Sequence, residues 1–218
     1  LDDADLASAV GTAAFAVSVH AGQGCALTTR LLVPRDRYDE AVEVAAATMA
    51  SLGAGDPADP GTVCGPVISA TQRERVAGYL KLAEEEGGRF ATGGTLAEKD
   101  GELAGGFWIE PTVIAGLDNS ARVAQEEIFG PVLSVLTFRT PKEAVEKANN
   151  TPFGLSAGVW TDKGSRILWM ANQLRAGVVW ANTFNKFDPT SPFGGYKESG
   201  YGREGGRQGM QAYLKAGK

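Results

Sequence analysis

Histidine occurs once in this 218-residue chain and cysteine twice, at Cys25 and Cys64. One imidazole and two widely separated thiols make no recognisable zinc pattern, so no metal site is expected. A chain of this size does not need a disulfide to hold its core. Both thiols are therefore expected to be free, in a cytoplasmic, reducing setting. Basic residues are also scarce: 21 Lys and Arg stand against 26 Asp and Glu, a net charge of -5. With no basic stripe and no RNP-like run, a nucleic-acid partner is not expected. No apolar run approaches the roughly 20 residues that cross a bilayer, so no membrane span is expected either. The opening Leu1-Asp2-Asp3-Ala4-Asp5-Leu6 is acidic, the opposite of a signal or transit peptide. It carries no initiator methionine, which leaves a processed chain, a fragment and part of a longer polypeptide all open.

What is present is a regular alternation of helical and strand patterns. Apolar residues at helical spacing run from Ala4 toward Val17, with Asp2 or Asp3 placed to cap the helix and Gly22 to break it. Leu27 to Val33 reads as a strand closed by Pro34, and Tyr38 to Leu52 as a helix with Val42, Ala45, Ala46 and Met49 on one face. A Gly-, Pro- and Asp-rich loop follows to Gly65. Ser69 or Thr71 then caps a helix to Glu86. Arg89 to Ala91 is a short strand, and Phe107 to Ile114 an edge or irregular strand because it holds Pro111. Val132 to Phe138 is the central strand candidate, and Pro141 opens a helix to Asn149. Strands at Leu155 to Trp160 and Ala176 to Ala181 flank a helix at Lys163 to Leu174, and a last helix spans about Glu204 to Leu214. This pattern predicts one α/β domain over residues 1–218: a layered, open, mostly parallel sheet with helices on both faces.

The chemistry concentrates at Gly22-Gln23-Gly24-Cys25. A cysteine on a small-residue loop between a helix and a strand is open to substrate, and its own amide can point at a developing oxyanion. The segment supplies no base. The single histidine, His20, lies nearby in sequence, but no spacing rule sets it against Cys25. On the residues alone Cys25 is either a nucleophile or a small buried hydrophobe; Cys64, in Val63-Cys64-Gly65-Pro66, reads as the latter.

The motifs taken together resemble the aldehyde dehydrogenase superfamily. Gly22-Gln23-Gly24-Cys25 with Thr29-Arg30 is similar to its active-site cysteine segment, and Gly65 to Ser69 with Gln72 and Arg75-Val76 to the stretch that follows. Phe107 to Val113, Glu126-Glu127-Ile128-Phe129-Gly130-Pro131-Val132, Asn149 to Ala157 and Ser191 to Gly200 continue the series in the family's order across nearly the whole chain. The resemblance implies that Cys25 attacks an aldehyde, giving a thiohemiacetal, then a thioester that water hydrolyses to the carboxylate. It places Glu127 at the nicotinamide-side ribose of NAD or NADP and Phe129 at the nicotinamide. Asn182 would be a positioning residue at the site's edge, and Phe187 and Phe193 would line the substrate tunnel. Trp160, Trp169 and Trp180 fit core or interface positions instead.

The family's nucleotide-binding domain, its general-base glutamate and its oxyanion asparagine precede the cysteine and do not map onto this sequence. The expected activity therefore belongs to a longer protein, a homo-oligomer in which an amino-terminal nucleotide-binding domain joins this catalytic half. The isolated chain is expected to be inactive or very weak. A free-standing structural or interaction subunit and a weak cysteine-dependent esterase are the alternatives.

Overall fold

Residues 1–215 are described here by a computed structural model. Helix α1 (Leu6–Ser18) starts at Asp5, whose carboxylate accepts from the Ser8 amide at 3.2 Å. Its buried stripe of Leu6, Val10, Ala14 and Val17 follows the helical repeat. After β1 (Arg30–Pro34), α2 (Tyr38–Leu52) buries Ala41, Val42, Ala45 and Met49. Helix α3 (Ala70–Glu85) is capped by Ser69, which accepts from Gln72 N–H at 3.2 Å. The chain then forms β2 (Arg89–Thr92), β3 (Thr112–Ala115), the short α4 (Arg122–Gln125) and β4 (Val132–Phe138). Helix α5 (Pro141–Asn149) begins at Thr140, with proline in the first turn where no amide hydrogen is needed. The remaining elements are β5 (Phe153–Gly154), β6 (Ser156–Val159), α6 (Gly164–Gln173), β7 (Val178–Ala181), β8 (Tyr196–Lys197) and α7 (Gly206–Gln211).

The main sheet has the order β1-β4-β3-β2, with β4 parallel to both neighbours and β2 antiparallel to β3. Helices α1 and α2 cover one face, against Val33, Val113, Leu133 and Val135. Helix α3 covers the other with Val76, Leu80 and Ala83, against Ile114, Val132 and Leu136. Burial on both faces explains why β3 and β4 are mostly apolar rather than alternating, with only Thr112, Ser134 and Thr137 polar. Two smaller units complete the layer: parallel β6-β7, and β5 antiparallel to β8. The expected layered α/β architecture, mostly parallel with helices on both faces, is the one observed.

Details differ from the sequence reading for physical reasons. Pro111 lies just outside β3, so its missing amide costs the ladder nothing and β3 sits inside the sheet rather than at its edge. The cap of α1 is Asp5; Asp2 and Asp3 serve elsewhere. Asp3 accepts the Thr161 hydroxyl at 2.7 Å, and Arg166 pairs with Asp2 at 2.6 Å and Asp3 at 3.1 Å. Strand β1 starts only at Arg30 because the chain first turns at Leu27, whose amide donates to Gly24 C=O at 3.3 Å. Of the tryptophans, Trp180 is buried and Trp169 exposed. No helix among the described residues is long and apolar enough to cross a membrane.

Met49 is fully enclosed between α2 and the sheet. Met49→Ala should therefore destabilise the fold by about 2–5 kcal/mol in chemical denaturation, through lost burial and an unfilled cavity. A shift below about 1 kcal/mol would mean that this helix does not pack as described.

Candidate active site

The cysteine loop is shaped by a run of left-handed backbone: His20 (φ 54°), Ala21 (φ 53°) and Gly22 (φ 70°) follow the end of α1. Only glycine fits the last of these positions. A Cβ on Gly22 would lie 2.0 Å from the carbonyl carbon and oxygen of Gly130, inside any contact distance. Gly130 in turn seats on α3, where a Cβ would meet Val76 at 2.6 Å. The cysteine loop and the 126–131 loop are therefore stacked backbone to backbone, and the 126–131 loop rests on the Val76 side chain of α3. Gln23 fastens the stack: its Nε2 donates to His20 C=O at 3.2 Å and its Oε1 accepts from Ile68 N–H at 3.0 Å.

This stacking brings Cys25, Glu127 and Phe129 to the lining of one cavity of about 490 Å³. Cys25 is exposed and its thiol is free. Neither its thiol nor its backbone N–H has a hydrogen-bond partner among the described residues. Cys64 is the opposite case. It is fully buried, and burial, reinforced by the charge of Glu110, pushes its thiol up to about 12. A thiol held neutral in this way is inert, while an accessible one can react.

The acidic pair of the 126–131 loop differs in its partners. Glu126 accepts from Tyr79 Oη at 2.9 Å and from Arg122 Nε at 2.8 Å. The Arg122 and Tyr79 hydrogen bonds hold its carboxyl below the usual range. Burial, together with the bond to Glu126, raises the Tyr79 phenol. Glu127 carries no side-chain hydrogen bond or ion pair among the described residues and is exposed at the cavity. A free carboxylate there suits the recognition of a hydroxyl pair on a ligand.

Two residues whose roles sequence reading missed hold this loop in place. Gln72 Nε2 donates to Ile128 C=O at 3.1 Å and to Phe129 C=O at 2.8 Å. Arg75 donates to Glu127 C=O and, through Nε, to Ile128 C=O at 3.4 Å. Phe129 has φ 60°, a left-handed conformation that costs a non-glycine residue roughly 1–2 kcal/mol. The clamp from the first turns of α3 offsets that cost. The spacing of Gln72 and Arg75 on one helix face was visible, but their backbone acceptors lie far along the chain.

The other candidate residues form a second group. Asn182 (φ 51°) ends β7, and its amide is spent on the backbone of Thr161: Oδ1 accepts from N–H at 2.9 Å and Nδ2 donates to C=O at 2.9 Å. It ties the ends of β6 and β7 together. Phe187 and Phe193 meet edge to face at 5.0 Å, and Phe187 also meets Trp180 at 5.4 Å. None of these three residues lines the Cys25 cavity. No cluster of His, Cys, Asp and Glu suited to a metal occurs among the described residues.

An exposed, unpartnered thiol, a carboxylate without partners and a phenylalanine whose backbone is held by Gln72 line one cavity, an arrangement suited to thiol-nucleophile chemistry. Comparison with known proteins gives the family. The model of the aldehyde dehydrogenase family matches residues 1–217. The 2-hydroxymuconic semialdehyde dehydrogenase of Pseudomonas sp. (strain CF600) is 44% identical over 213 residues, covering 98% of this chain and 44% of that protein. Human mitochondrial aldehyde dehydrogenase is 40% identical over 215 residues, covering 99% of this chain and 41% of that protein. The structure of a Mycobacterium tuberculosis aldehyde dehydrogenase complexed with NAD+ superposes with a TM-score of 0.91 at 44% identity, over 98% of this chain and 43% of that one. The chain belongs to the aldehyde dehydrogenase family, and it spans less than half the length of these relatives.

The contrast between the two cysteines can be measured directly. In the native protein an aromatic disulfide reagent at pH 8 should titrate one thiol, assigned to Cys25 by mass, and a second only after denaturation. Rapid native labelling of Cys64 would contradict its burial.

Proposed function

We propose that residues 1–218 are the catalytic domain of an NAD(P)+-dependent aldehyde dehydrogenase whose nucleotide-binding domain lies on another part of the polypeptide. The observation that carries this reading is the meeting of Cys25, Glu127 and Phe129 at one cavity, built by loops that contact each other through glycine backbone. The Cys25 thiolate adds to the aldehyde carbon, forming the C–S bond of a thiohemiacetal. The unpartnered Cys25 N–H is the donor this loop offers to the resulting oxyanion. Loss of hydride from that carbon, with collapse of the C–O⁻ to a carbonyl, leaves a Cys25 thioester. Water then cleaves the C–S bond, releasing carboxylate and a proton and restoring the thiol.

The residues present fit a nicotinamide dinucleotide. Glu127 offers an unpaired carboxylate to ribose hydroxyls, and Phe129 a ring carried on backbone that Gln72 holds. When bound, the nicotinamide supplies the acceptor for the hydride. Phe187 and Phe193, grouped with Trp180 outside the Cys25 cavity, are assigned to the apolar approach of the substrate, and Asn182 fixes the ends of β6 and β7. The general base and the second oxyanion donor belong to the part of the protein outside this chain. Two free thiols suit a cytoplasmic enzyme. Exposed apolar side chains such as Ile68, Leu168, Tyr201 and Tyr213 suit burial against the nucleotide-binding domain or sister subunits of a homo-oligomer.

In the full-length protein, Cys25→Ala should lower kcat for NAD(P)+-dependent aldehyde oxidation by at least about a thousandfold, because the covalent step is lost. The 218-residue chain alone should give no robust NAD(P)+-dependent oxidation. Near-wild-type turnover by the Cys25→Ala protein, or robust oxidation by the short chain, would overturn the proposal.

A further inference from the structure

Gly22 and Gly130 join the beginning of the cysteine loop to the end of the 126–131 loop. The opposite ends of the same two loops also meet. The cysteine loop runs into β1 at Arg30, and the 126–131 loop is entered through residues 118–125. Arg30 Nη2 donates to Asn119 Oδ1 at 2.6 Å, a contact between positions 89 apart in the chain. Asn119 C=O in turn accepts from Gln125 Nε2, and Gln125 directly precedes Glu126-Glu127. Chemistry fixes the polarity of this chain of bonds. A guanidinium only donates, so Asn119 presents its oxygen to Arg30; a carbonyl only accepts, so Gln125 presents its nitrogen.

The partners of Arg30 make this contact informative. The side chain is half-buried, and no carboxylate pairs with it among the described residues. Its second acceptor is Lys147 C=O at 3.0 Å, in the last turn of α5, where the helix end favours a cation. Taking a guanidinium out of water costs free energy, and neutral acceptors recover less of it than a carboxylate does. What the planar fork supplies in return is reach to two separate segments at once. The segment it holds is fastened from the other side by α3: the Glu86 carboxylate accepts from Arg122 N–H at 2.8 Å and Val123 N–H at 3.1 Å. Residues 119–125 are thus suspended between α3 and β1, and the chain that leaves them carries Glu127.

We propose that Arg30 is a positioning residue for the ligand loop: through Asn119 and Gln125 it sets where Glu127 stands relative to the strand that continues from Cys25. It touches neither aldehyde nor dinucleotide. A single junction, at Gly22 and Gly130, leaves two loops able to pivot about it. A second junction at their opposite ends removes that freedom, so the spacing between thiol and carboxylate is held from both sides. The proposal rests on the reading of Glu127 as the ribose-binding carboxylate and adds to it the residue that keeps that carboxylate in place.

Double-mutant cycles in the full-length protein test it with two readouts. One is the dissociation constant for NAD(P)+. The other, which needs no ligand, is hydrogen exchange of the Ala124 and Glu126 amides, bonded to Ala121 and Arg122 C=O. Arg30→Ala, Asn119→Leu and Gln125→Ala should each weaken binding and speed that exchange by at least about tenfold. Each double variant should do no more than the worse of its singles. Asn119→Asp keeps an acceptor for Arg30 and should stay within about twofold of wild type. Added guanidinium ion should restore binding to Arg30→Ala and not to Asn119→Leu. Independent, multiplying effects of Arg30→Ala and Asn119→Leu, or wild-type exchange in Arg30→Ala, would overturn the proposal and leave Arg30 a support of α5 alone. If Arg30→Ala does not fold, Asn119→Leu against Asn119→Asp decides, since both leave Arg30 in place; equal behaviour of the two would overturn it. A wild-type protein that binds no NAD(P)+ would defeat the reading of Glu127 instead, while the exchange rates still decide the role of Arg30.

Discussion

The site depends on one close contact, that of Gly22 with the Gly130–Pro131 peptide. No side chain separates the two loops there: a Cβ at Gly22 would reach 2.0 Å from Gly130 and 2.4 Å from the Pro131 nitrogen. The loop that carries the thiol can therefore not shift relative to the loop that carries Glu127 and Phe129 without opening a packed backbone junction. The left-handed run from His20 to Gly22 turns the chain out of α1 onto that junction. Position, in this molecule, is set by glycine backbone and not by side-chain links between Cys25, Glu127 and Phe129.

Around that junction, α3 acts as the anvil. Val76 supports Gly130 from below, Gln72 and Arg75 hold the carbonyls of residues 127–129, and Gln23 reaches the amide of Ile68 just ahead of the helix. Each of these bonds occupies a backbone group that would otherwise be unpaired at a loop, and together they fix a phenylalanine in a backbone region it avoids. The Tyr79–Glu126–Arg122 set consumes the first carboxylate of the pair, while the second has no partner among the described residues. Adjacent, chemically identical residues are thus set apart by what their neighbours offer.

Much of this was legible in sequence. The bounds of α2 and of β4 follow from a helical repeat and a largely apolar, β-branched run, and the observed elements coincide with them. Ser69 and Pro141 announced their helices, since capping chemistry is local. The residues Cys25, Glu127 and Phe129 were singled out from ordered motifs, and the fold brings them to a common cavity. What sequence could not convey is nonlocal. The interior position of β3 depends on Pro111 falling one residue outside the ladder. The duties of Asp2 and Asp3 depend on Arg166 and Thr161, which arrive from the far end of the chain. The clamp by Gln72 and Arg75 has backbone acceptors, which leave no trace in residue type.

The central claim, that one backbone contact holds the Cys25 loop and the 126–131 loop together, is tested most directly by Gly22→Ala in the full-length protein. Two quantities are read from the same sample: the labelling rate of Cys25 and the dissociation constant for NAD(P)+, with circular dichroism to show that the helices remain. Because the added methyl has no room against Gly130, the expected result is that both change together, each by at least about tenfold, while the secondary structure stays intact. Wild-type values for both, in a protein folded as before, would contradict the account.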